Sequence, residues 1–138
     1  RPRSSVGPMD GFFRMWRVVA LVQVVLTGAL AGATLGLPPL LLALFGLEVD
    51  GTGVLLMRAF GASLLFVAAA HWGARDTRSV HLVRTLCVAN LLEDGTLAVL
   101  ATLAVLGGTM KATGWLLAGT FAAEVLLALY VLLRARRR

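Results

Sequence analysis

Charge is scarce in this chain. Only 14% of its 138 residues are Asp, Glu, Lys or Arg, against about 25% in soluble domains, too few to cover a water-facing surface. Cysteine is limited to Cys87. With no partner in the chain and no CxxC spacing, that excludes an intrachain disulfide framework and a cysteine zinc site. Metal-protease, serine-hydrolase and P-loop spacings (HExxH, GxSxG, GxxxxGK) are missing, and Cys87 has no histidine at its depth. Catalysis is therefore not expected.

Hydrocarbon is what the chain has in quantity. Hydrophobic residues make up 59% and the mean hydropathy is +0.87. Four apolar runs, residues 12–35, 53–72, 80–106 and 115–133, lie near or above the ~20 residues that cross a bilayer as a helix. The expected fold is all-α: one transmembrane four-helix bundle over residues 12–133, between a polar tail at 1–11 and a basic tail at 134–138. Ala31-Gly32-Ala33 imitates a signal cleavage site, but the apolar run before it exceeds a typical signal core, so it reads as a span. Leu37-Pro38-Pro39 ends that span, because proline cannot continue the hydrogen-bond ladder. Residues 40–47 are too short to cross and read as an interfacial or re-entrant helix, closed by the acidic turn Glu48-Val49-Asp50-Gly51.

A net charge of +6 suggests phosphate binding, but the arginines flank apolar runs and form no aromatic-interleaved surface, so no nucleic-acid partner is expected. They set topology instead. Eleven lie on the N-terminal flank, in the loop after the second span and on the C-terminal tail, while the other side has Lys111, with Arg58 just inside the second span. Both termini are accordingly expected in the cytoplasm, across a bacterial inner membrane. Trp16, Trp72, Trp115 and Tyr130 fall near span ends, where amphipathic rings favour the headgroup zone.

In lipid, helices associate through close backbone approach and polar contacts, since burying leucine gains little there. Gly28, Gly32 and Gly36 form a strip on the first span, Gly61-Ala62-Ser63 a second site, and Ala118, Gly119, Ala122 and Ala123 a third. The expected use is packing within one bundle; the alternative is that one strip faces a partner protein.

Polar residues at membrane depth are the most informative, because a charge at the bilayer centre costs at least about 2.5–3.5 kcal/mol. Counting along the helix, Glu93 and Asp94 lie roughly 18–20 Å from the arginine end of the third span and Glu124 roughly 15 Å from the other end of the fourth. Gln23 and Asn90 fall nearby, and Arg58, about 8 Å deep on the second span, has the reach to approach Glu124 or Glu93. Asn90 shares a face with Glu93 and Asp94, whereas those two point about 100° apart and are not expected to serve one partner. The set reads as an internal clasp, with one carboxylate carrying a proton, as a proton or cation path, or as a polar pocket. His71 and His81 bracket the hairpin loop and are expected to be interfacial and solvated. Ligation of haem or chlorophyll is the alternative; no cofactor is otherwise expected.

The element order also carries a resemblance. The run Leu37-Pro38-Pro39-Leu40-Leu41-Leu42-Ala43-Leu44-Phe45-Gly46-Leu47, then Leu56-Met57-Arg58-Ala59-Phe60-Gly61-Ala62, His71-Trp72-Gly73-Ala74-Arg75-Asp76 and Val88-Ala89-Asn90-Leu91-Leu92, resembles a broad group of small bacterial four-span membrane proteins with no established activity. The resemblance implies that Arg58, Gly61 and Asn90 belong to a shared framework; the Glu93-Asp94 pair lies outside it. Twelve arginines against one lysine fit a GC-rich bacterial genome. The leading expectation is a non-catalytic accessory or assembly subunit of a membrane complex, partnered by lipid and other subunits. The alternatives are a small transporter or proton conductor using the midplane carboxylates, and a haem- or chlorophyll-binding subunit.

Overall fold

The structure, a computed structural model, describes residues 8–48 and 50–136. Most of the expected polar tail, Val49 of the acidic turn, and Arg137 and Arg138 of the basic tail lie outside the described residues. Five helices form the chain: α1 (Pro8–Gly36), α2 (Pro38–Leu44), α3 (Gly51–Ala74), α4 (Val80–Leu106) and α5 (Gly114–Arg136). No strand occurs among the described residues. The four long helices are long and apolar enough to cross a membrane, which marks a multi-pass membrane protein.

The helix boundaries follow local chemistry. Helix α1 starts at Pro8, before the expected span, with the carboxylate of Asp10 in its first turn, close to the unpaired N–H groups there. Helix α2 begins on Pro38 and Pro39 themselves, at positions where a missing N–H is harmless. Asp50 caps α3 by accepting from the Gly53 N–H at 2.9 Å, and Ser79 caps α4 by accepting from Leu82 at 3.2 Å. Gly46 and Gly108 hold φ near +75°, which turns the chain after α2 and after α4.

The long helices pack as two pairs, α1 along α3 and α4 along α5, and the pairs touch each other more sparingly. Gly61 makes the first pairing close: a Cβ there would collide with Thr34 and Leu35 of α1. Gly114 does the same for α5, where Val105 and Met110 occupy the space a side chain would need.

Hydrogen bonds tie the helices at both ends. At the arginine-bearing end, Trp16 Nε1 donates to the Ala74 carbonyl at 2.8 Å, tying α1 to α3, and Arg84 donates to the Ala135 carbonyl, tying α4 to α5. Phe12, Phe13, Trp16, Val83, Cys87 and Val131 fill the core there, which places the start of α1, the end of α5 and the α3–α4 loop at one end. At the other end the Lys111 N–H donates to the Phe45 carbonyl at 2.8 Å and Thr113 Oγ1 to Leu44 at 2.6 Å. The short α2 is thereby latched to the α4–α5 turn. Outward faces carry bare hydrocarbon such as Val25, Leu55, Phe66, Leu92 and Leu126, a surface compatible with lipid contact.

Candidate functional site

Four residues from three helices meet in the seam between the two pairs. Gln23 lies near the midpoint of α1, Glu93 and Asp94 near that of α4, and Glu124 near that of α5. Their equal depth follows from helices of similar length sharing the same ends. Gln23 Nε2 donates to Glu124 Oε2 at 2.9 Å. On the far side of Glu124 stands Asp94, carboxyl beside carboxyl. Gln23, Asp94 and Glu124 are all buried, at 3%, 5% and 8% exposure. Asp94 Oδ2 is fully shielded and has no hydrogen-bond partner among the described residues.

These groups line a cavity of about 130 Å³. Glu93 and Asp94, expected to serve different partners, both reach it: Asp94 lies inside and Glu93 is half-buried at its rim. Thr27 and Thr120 add hydroxyls one turn from Gln23 and Glu124, while α3 contributes the apolar Leu64 and Val67. Among the described residues, no lysine or arginine lines the space. Like charges side by side in a low-dielectric interior repel strongly, so the Asp94–Glu124 pair is complete only with a proton or another cation between its oxygens.

Arg58 does not supply that cation. Its side chain is exposed, and it makes no ion pair with the cavity carboxylates among the described residues. A guanidinium on a long stem, two turns from the start of α3, reaches the nearer interface more cheaply than the bilayer centre. The expected approach of Arg58 to Glu124 or Glu93 is therefore not made.

A second polar pair extends the layer toward the arginine-bearing end. Asn90, one turn before Asp94 on α4, faces His71 Nε2 of α3 at 3.4 Å, and His71 Nδ1 meets the Val67 carbonyl at 3.0 Å. His71 is only 2% exposed and lies beside Trp16, the ring centroids 6.1 Å apart. This corrects the interfacial, solvated placement. The reason is α1, whose early start carries Trp16 across the end of α3 and seals it. Protein groups face both ring nitrogens, and the free volume around the ring is about 10 Å³, too little for a macrocycle. His81 is exposed, as an interfacial position requires. Among the described residues, no cluster of three or more His, Cys, Asp or Glu has the arrangement of a metal site.

The glycine strip also lies differently from its expected use. A Cβ at Gly28, Gly32, Gly36 or Gly119 would meet nothing within 4 Å, and Ala123 is exposed. Of Gly28, Gly32, Gly36, Gly61 and Gly119, Gly61 alone is pressed against a neighbouring helix in this way, while Ala118 of the third site is buried. Sequence reading missed Thr27 and Trp16 as parts of the polar interior, and the exposed Thr120 as a residue of the cavity lining. Their spacing of four or seven residues from Gln23 and Glu124 was the available signal. Another cavity, of about 180 Å³, lies at the arginine-bearing end among Arg14, Arg17, Arg75 and Arg78. Asp76 pairs there with Arg17 at 3.2 Å and Arg75 at 3.3 Å.

Compared with known protein families, curated proteins and solved structures, the chain matches none. Its site stands on its own chemistry.

Proposed function

We propose that this chain is a small multi-pass membrane carrier or conductor that handles a proton or other cation at the Asp94–Glu124 pair. One observation carries the reading: a buried, unpartnered carboxylate oxygen on Asp94, a residue that lines a mid-bundle cavity with a second carboxyl beside it. A clasp built only for helix register would satisfy its polar atoms, because each unpaired buried group costs about 1–3 kcal/mol. Titratable or polar neighbours of the pair are Glu93, Gln23, Asn90, His71 and Cys87. The proposed chemistry is binding and release, with no covalent step. The arginine distribution supports cytoplasmic termini in a bacterial inner membrane.

Proteoliposomes loaded with a pH-sensitive dye test the proposal. Under an imposed potential, the wild-type protein is expected to carry proton flux well above empty vesicles. Asp94→Asn and Glu124→Gln should each lower it at least tenfold, and Glu93→Gln should lower it less. Flux no greater than in empty vesicles, or flux untouched by the first two substitutions, would overturn the reading.

A second reading, an accessory subunit docked to other membrane proteins, draws support from the strip Gly28–Gly32–Gly36, where an added side chain would meet nothing within 4 Å among the described residues. Purification from native membranes in mild detergent should then bring down a stoichiometric partner that Gly32→Leu releases. A lone, monodisperse chain would count against it.

A further inference from the structure

Toward α2 the carboxylate cavity borders a second, apolar lobe of about 230 Å³, and the two share Leu30, Leu117 and Phe121 as common walls. All three site-bearing helices grade the same way along this axis. Helix α1 passes from Gln23 and Thr27 to Leu30, α4 from Asp94 to Leu97 and Ala101, and α5 from Glu124 through Phe121 to Leu117. Each step of three, four or seven residues keeps to one helix face. The lobe therefore begins where the carboxyls stop and runs about 10 Å further, the rise from Asp94 to Ala101. Its one hydroxyl, on Thr34, is already committed to the carbonyls of Leu30 and Ala31 at 2.9 Å.

A bare ion or a proton accounts for the carboxylates and leaves the lobe unexplained. A neutral lipid tail fits the lobe and leaves Asp94 Oδ2 without a partner. One ligand chemistry satisfies both. We propose that the site takes an amphipathic organic cation: an ammonium head in the cavity against the paired carboxyls of Asp94 and Glu124, and an alkyl tail along Leu30, Leu97, Ala101 and Phe121. This rests on the cation-handling reading above and names its substrate class. The head meets anionic oxygens without a competing arginine, and the tail lies where water is excluded.

Saturation binding of radiolabelled decylammonium to the protein in neutral-lipid nanodiscs tests this, with empty nanodiscs subtracted. Saturable binding near one per chain is expected, at least tenfold tighter than for tetramethylammonium. Asp94→Asn should weaken it at least tenfold at unchanged secondary structure. Ala104→Leu, which adds bulk to the lobe, should weaken decylammonium at least fivefold and leave Asp94-dependent proton flux intact. Decanol competing as well as an unlabelled amine would mean an acyl lobe only and sink the proposal, as would binding indifferent to Asp94→Asn. Asp94-dependent proton flux without amine binding would overturn this inference and leave the function above standing; loss of both would overturn both.

Discussion

Gly61 of α3 lies directly against Thr34 of α1, with no space for a side-chain atom between them. In lipid, where apolar burial gives helices little reason to associate, such backbone approach is what holds α1 to α3. Gly61→Val is expected to lower stability by about 1–3 kcal/mol, the usual range for overpacking a filled site. Reversible unfolding in mixed micelles measures it. Gly28→Ala, where the new methyl meets nothing, should be neutral or gain up to about 1 kcal/mol from helix propensity. Equal effects at both positions would contradict the pairing.

The Gln23–Glu124 hydrogen bond supplies a second expectation. Gln23→Leu leaves a buried carboxyl oxygen without its donor, a loss of about 1–3 kcal/mol. In a double-mutant cycle with Glu124→Gln, the two changes should be non-additive, because residues sharing a bond couple by about 0.5–3 kcal/mol. Simple additivity would place the two side chains apart.

Much of this architecture was legible in the chain, and the rest was hidden for one physical reason. Span number, the break at Leu37-Pro38-Pro39 and the midplane depth of Gln23, Asp94 and Glu124 follow from hydropathy, from proline's missing N–H and from counting helical rise. Which helices pair does not. A helix in lipid is apolar on its outer face as well as its inner one, so periodicity cannot say which face is covered, and Gly28 and Gly61 look alike as letters. Depth counted along α3 alone puts His71 at the interface; Trp16, from another helix, covers it. Reach alone pairs Arg58 with a carboxylate, whereas its cheaper course is outward to the interface.

The latch between α2 and the α4–α5 turn has a glycine at its centre. Gly46 holds φ at +75° with the Lys111 side chain against it, so any Cβ meets both backbone strain and a collision. Gly46→Ala is expected to cost at least about 1–2 kcal/mol from the left-handed conformation alone. Limited proteolysis should then cut in the α2–α3 loop of the variant before the wild type. An unchanged cleavage pattern would mean that the latch does not order this end.

Cys87 reports on the arginine-bearing end. It is 4% exposed within a core shared with Phe12, Trp16 and Val131. A membrane-permeant maleimide should label it slowly in the folded protein and quickly after denaturation. Trp16→Ala, which removes both the bulk over this core and the bond to Ala74, is expected to destabilise by about 3–5 kcal/mol and to speed labelling. Labelling of wild-type Cys87 as fast as in the denatured chain would show this end to be open.

Stability and function should part company at Asp94. A group retained for register contributes to holding the helices, so its loss should loosen them. A group retained for binding is left unsatisfied in the empty protein, and its removal relieves a cost. Asp94→Asn keeps the shape, removes the charge beside Glu124 and adds a donor that the neighbouring carboxyl can accept. It should therefore raise unfolding stability by about 1–3 kcal/mol, the penalty of an unsatisfied buried group, while abolishing proton flux. Glu93→Gln, at the half-exposed rim, should change stability by less than about 0.5 kcal/mol. If Asp94→Asn instead unfolds the protein more easily, the carboxylate layer is a fastening between helices and the proposed cation site is wrong.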